Sequence, residues 1–98
     1  MKKIKMAISL PVSIFKEGKN YVAFTPALDL STSASSYAQA KERFGEAVLI
    51  FMEEIAKQGR LENNLENLGW EKNQKRWTPP ITVSQSLENF NIPIPMIA

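Results

Sequence analysis

From Lys3 to Phe15 the chain reads KIKMAISLPVSIF, in which Ile4, Met6, Ile8, Leu10, Val12 and Ile14 alternate with Lys3, Lys5, Ala7, Ser9, Pro11 and Ser13. Period-two alternation over six repeats predicts a strand buried on one face. Pro11 lacks an N–H, so the strand is expected to lie at a sheet edge or to break there. EGKN at 17–20 has turn chemistry, with Gly18 free to take positive φ. Tyr21 to Thr25 is aromatic and β-branched and reads as the returning strand of a hairpin. After Pro26, alternation resumes from Leu28 to Thr32, a third strand with Asp29 inside it. Three sequential strands with short links imply an antiparallel meander.

The period then changes. Tyr37, Ala40, Phe44, Ala47, Val48, Phe51 and Ile55 recur at three- and four-residue spacing, with Lys41, Arg43, Glu46, Glu53, Glu54 and Lys57 between them. That is an amphipathic helix of about 20 residues, roughly 30 Å long, expected to lie across one sheet face. Ser36 is its predicted N-cap, Gln39 completes a capping-box pattern, and Gly59 is its stop. RLENNLENL at 60–68 predicts a second short helix ended by Gly69. Residues 71–98 hold Trp77 and four of the six prolines. ITVS at 81–84 can form a short strand, whereas the proline spacing of FNIPIPMIA forbids a helix. The expected fold is therefore α+β: a three-stranded or four-stranded antiparallel meander with one long helix on one face. Residues 1–70 form the domain. Residues 71–98 form a Pro-rich extension that packs on the same domain or on a partner subunit.

Composition narrows the chemistry. The 98 residues include no cysteine and no histidine, which removes thiolate sites and the usual near-neutral general base. No apolar run approaches the 18 or so residues that span a bilayer, and no signal-peptide pattern follows Met1, so the expected location is the cytoplasm. The net charge of +2 is unevenly spread. Residues 1–20 carry +4 (five Lys against Glu17). Residues 21–70 carry −3 (seven acids against Lys41, Arg43, Lys57 and Arg60), and residues 71–98 carry +1. No cofactor and no catalytic or metal-binding residue is expected.

Three segments carry residue types capable of chemistry. STSASS at 31–36 holds hydroxyls but no adjacent base, so it reads as a strand-to-helix joint rather than a nucleophile site. Asp29 with Glu46 or Glu53 is the nearest approach to a two-metal nuclease, which needs three or four converging acids; the simpler reading leaves all three in water. WEKNQKRW at 70–77 places Lys72, Lys75 and Arg76 between two tryptophans, a pattern able to stack bases and neutralise phosphate, or equally to seal a sheet edge.

The chain resembles the HicB family of antitoxins from prokaryotic toxin–antitoxin pairs. The likeness rests on Tyr21-Val22-Ala23, Pro26-Ala27-Leu28, Ala38 to Ala40, Glu46-Ala47, Phe51 to Ile55 and Leu68-Gly69-Trp70, in that order, across residues 11 to 70. It implies a reduced ribonuclease H-like sheet backed by a helix, and a non-enzymatic role in binding and masking a small basic HicA-type ribonuclease. Such a toxin would be steered towards the acidic middle of the chain. Tyr21, Phe24, Asp29, Trp70 and Trp77 are the expected partner-binding residues, in a homodimer or homotetramer. The alternative is nucleic-acid binding, or a vestigial ribonuclease H-like metal nuclease. The family's C-terminal helix-turn-helix or ribbon-helix-helix has no counterpart in 71–98, so direct DNA binding is not expected.

Overall fold

The computed structural model describes residues 7–96. The chain runs β1 (Ser13–Glu17), β2 (Asn20–Thr25), β3 (Leu30–Ala34), α1 (Tyr37–Lys57), α2 (Leu61–Asn67), β4 (Glu71–Asn73) and β5 (Arg76–Thr78). The first three strands form an antiparallel sheet in the order β1-β2-β3, and the last two form a separate hairpin. The class is α+β, as the hydropathy pattern predicts.

The first hairpin closes tightly. Glu17 faces Asn20, so Gly18 and Lys19 alone make the loop. Gly18 has φ +59, which suits the first loop position of a type II′ turn, whose twist matches that of the strands. Strand β1 is much shorter than the alternation predicts. It begins two residues after Pro11, and residues 7–12 make no strand; residues 3–6 of the predicted strand lie outside the described region. Ile8 and Leu10 are nonetheless half-buried against the core, so alternation here records one-sided packing rather than sheet pairing.

The third strand starts later than expected. Residues 26–29 form a turn, with Asp29 N–H donating to the Pro26 carbonyl at 3.4 Å and Asp29 at φ +49. Asp29 is therefore an exposed turn residue, not a mid-strand one. Aspartate tolerates this left-handed conformation better than most side chains. Beneath the turn, the buried Thr25 hydroxyl accepts from the Ala27 N–H at 3.3 Å.

Helix α1 starts and stops where its caps dictate. The Ser36 hydroxyl accepts from the Gln39 N–H at 3.2 Å. The Gln39 side chain receives the Ser35 hydroxyl at 2.8 Å instead of returning to the Ser36 backbone, so only half of the predicted capping box forms. At the other end Gly59 N–H donates to Ala56 and Arg60 N–H to Ile55, with Gly59 at φ +66. That is a Schellman stop. The same pair of bonds recurs after α2, where Gly69 N–H donates to Glu66 and Trp70 N–H to Leu65, with Gly69 at φ +91.

Helix α1 lies over β3 and β2. Ala23 and Ala34 on the sheet and Ala40 and Phe44 on the helix are all buried where α1 packs on β2 and β3; small residues let the backbones approach. Ala27, Leu28, Ile55, Leu65 and Trp70 form a second buried cluster where α1, α2 and the 26–29 turn converge, and Leu30, Val48, Phe51, Met52, Leu61, Leu68 and Trp77 pack around it. Tyr37, expected on the buried face, is 55% exposed. ITVS forms no strand, and residues 79–96 hold no regular element. The second hairpin instead comes from KNQKRW, whose turn residue Gln74 takes φ +58.

Candidate functional site

The strand-to-helix joint is occupied by structure. Ser36 caps α1, Ser35 holds Gln39, and the Ser33 carbonyl receives the Arg43 guanidinium at 3.3 Å. Two of its hydroxyls are engaged at the helix start, Ser36 with a backbone N–H and Ser35 with the Gln39 side chain. Asp29 lies in its turn, and among the described residues no three of His, Cys, Asp and Glu gather where they would hold a metal ion.

The residues expected at a partner surface are scattered. Tyr21 is half-buried on the helix side of the sheet, with the Lys16 ammonium 5.9 Å from its ring. Phe24 is half-buried on the opposite side, facing Ser13 and Ser31 across the strands. Trp70 is only 3% exposed and donates its indole N–H to the Ala27 carbonyl at 2.7 Å. It belongs to the core and presents nothing to a partner. Trp77 is half-buried against the same cluster.

The basic segment is also partly engaged. The Lys72 ammonium lies 2.6 Å from a Glu62 carboxylate oxygen and 5.7 Å from the centre of the Trp77 ring. Of the three cations only Lys75 and Arg76 extend from the hairpin into water without such a partner among the described residues. Two free cations on a three-residue ladder form a small electrostatic footprint, well short of a basic groove.

Two surfaces stand out instead. On the open face of the sheet, Phe15 is 54% exposed beside half-buried Val22 and Phe24, with Ser31 and Ser33 in water beyond them. On the outside of α1, Glu42, Glu46, Leu49 and Glu53 fall within about 60° of one another at roughly 100° per residue. Leu49 and Ile50 there are 59% and 60% exposed, and all three glutamates are exposed. The outer stripe of α1 is thus two aliphatic side chains flanked by carboxylates. Glu46 and Glu53 are acids that the spacing places on the wet face of the helix; Leu49 and Ile50 are not among the residues it singles out. Their signal was available: both fall outside the three-and-four spacing of the buried face. No helix among the described residues is long and apolar enough to cross a membrane. No family model, no curated protein and no solved structure matches this chain.

Proposed function

We propose that this chain is a HicB-like antitoxin, a protein without turnover of its own that binds and masks a small basic HicA-type ribonuclease in the cytoplasm. The observation that carries the reading is the hydrogen bond from Trp70 to Ala27. The two motif segments on which the resemblance rests, Pro26-Ala27-Leu28 and Leu68-Gly69-Trp70, lie 43 residues apart at that bond and meet in one buried cluster. The motifs therefore act as a single physical unit that locks the sheet to the helices.

The docking surface in this reading is the outer stripe of α1. Three carboxylates favour approach of a cationic partner, and Leu49 with Ile50 supplies apolar area that a partner would desolvate. The metal-nuclease alternative has no converging acids to support it among the described residues. The test begins with the neighbouring reading frames, which should encode a small basic protein, and continues with its co-expression, co-purification and growth rescue. The expected outcome is a stable complex and relief of toxicity. Free toxin that stays active in the presence of excess chain overturns the reading.

A further inference from the structure

Residues 79–96 form an arm whose root, Pro79 and Pro80, rests beside Gly69, while residues 81–96 are all exposed and do not pack on their own domain. Ile81, Leu87, Phe90, Ile92, Ile94 and Met96 are 71–100% exposed. The chain presents 8639 Å² to solvent, where a compact protein of 11.1 kDa presents about 5,700 Å². Its radius of gyration is 17.2 Å, against roughly 13 Å for a compact chain of this length. The surplus of about 3,000 Å² of total surface exceeds the ~1,600 Å² buried in a standard protein interface, and monomers rarely leave this many large apolar side chains together in water.

The arm's end has a one-sided backbone. In an extended chain, alternate residues direct their N–H groups to opposite edges. Ile92, Ile94 and Met96 therefore share one hydrogen-bonding edge, and Pro93 and Pro95, which have no N–H, share the other. Such a segment can add to a sheet through one edge while ending the sheet at the other. Its three apolar side chains would all fall on one face.

The chain also contains a place to receive it. Strand β1 is an outer strand of the three-stranded sheet, paired only with β2. Because α1 lies over β2 and β3, the helix side of β1 is left uncovered. A cleft of about 340 Å³ opens there, lined by Val12, Ile14, Tyr37, Lys41, Phe44 and Gly45. A strand added outside β1, with its apolar face towards α1, would fill that cleft.

We propose that the arm of one copy adds as an edge strand to β1 of a second copy, with Ile92, Ile94 and Met96 seated in the cleft. Every chain carries both arm and cleft, so the exchange proposed is the reciprocal one, which closes as a two-fold dimer rather than running on as a filament. The segment Ile92–Met96 carries no charge, so nothing in it repels or strands the Lys41 that lines the cleft. The inference does not depend on the antitoxin reading, because it concerns the chain alone.

The absence of cysteine makes the test clean. Gly45→Cys and Ile94→Cys are made in separate full-length chains of distinguishable size; a Cβ at Gly45 meets nothing within 4 Å. Mixing and oxidation should give a disulfide-linked pair of one chain of each kind, and sedimentation of the unmodified protein should give twice 11.1 kDa. Ile92→Asp/Ile94→Asp should yield a monomer with its helix content retained. Monomeric sedimentation of the unmodified protein at about 10 µM, an intrachain disulfide in the doubly substituted chain, or a dimer that survives the aspartates would each overturn the proposal.

Discussion

The indole N–H of Trp70 donates to the carbonyl of Ala27 across 2.7 Å and 43 residues of chain. This bond joins the turn that leads into β3 to the stop of α2. Trp70 also supplies the apolar contact that completes the Schellman motif, because its partner position, Leu65, is fully buried beside it.

Trp70→Phe keeps most of the packing and removes the donor, leaving a buried carbonyl without its partner. The expected loss is about 1–3 kcal/mol. Trp70→Ala also opens a cavity and should cost about 3–5 kcal/mol. Urea unfolding of the two variants measures both. Equal losses would mean that the hydrogen bond alone matters and the ring packing contributes nothing; an unchanged Trp70→Phe would mean the reverse.

Gly59 and Gly69 both hold positive φ at helix stops, so alanine at either is strained. They differ in space. A Cβ at Gly59 meets nothing within 4 Å, whereas at Gly69 it would lie 3.3 Å from Pro80 Cγ. Gly59→Ala should cost about 1–2 kcal/mol, the usual range for a left-handed non-glycine residue. Gly69→Ala should cost more, since the root of the arm must also shift. Thermal unfolding decides the order.

The Lys72–Glu62 pair is short but exposed, with side chains 40% and 62% accessible. Breaking it with Glu62→Gln should cost less than about 1 kcal/mol. The difference between variant and parent should shrink further in 1 M salt, where the screening length is roughly 3 Å. Comparing unfolding midpoints at low and high salt checks this.

Reversing the charge of the outer α1 stripe, with Glu42→Lys, Glu46→Lys and Glu53→Lys together, leaves the buried face untouched. Association with a basic partner should slow by about tenfold or more at low salt, with the gap closing as salt rises. Stopped-flow mixing reads the rate directly. An unchanged rate would move the contact elsewhere, with the open sheet face around Phe15 and Phe24 next to be tested.

For the hairpin, the expected outcome is negligible binding of single-stranded oligonucleotides at micromolar concentration and moderate salt. Binding that falls steeply with salt and disappears in Lys75→Glu/Arg76→Glu would reinstate a nucleic-acid role. Fluorescence anisotropy across a salt series separates the two.

Helix α1, its Ser36 cap, its Gly59 stop and the Gly18 hairpin were all legible in the amino-acid order. Each depends on groups within about six residues of one another, so chain chemistry alone decides them. The meander and the α+β class followed from the same local periods. Other features were settled only when distant segments met. The long alternation before Phe15 yields a five-residue strand, because pairing requires a partner edge and β2 offers one only opposite Ser13–Glu17. Asp29 left its strand for a turn because β3 pairs from Leu30 onwards. Trp70, expected at a partner surface or sealing a sheet edge, is core, with its indole N–H on a carbonyl 43 residues away. Whether an apolar side chain is buried depends on what the rest of the chain brings to it, and that is a property of tertiary packing that local periodicity does not contain.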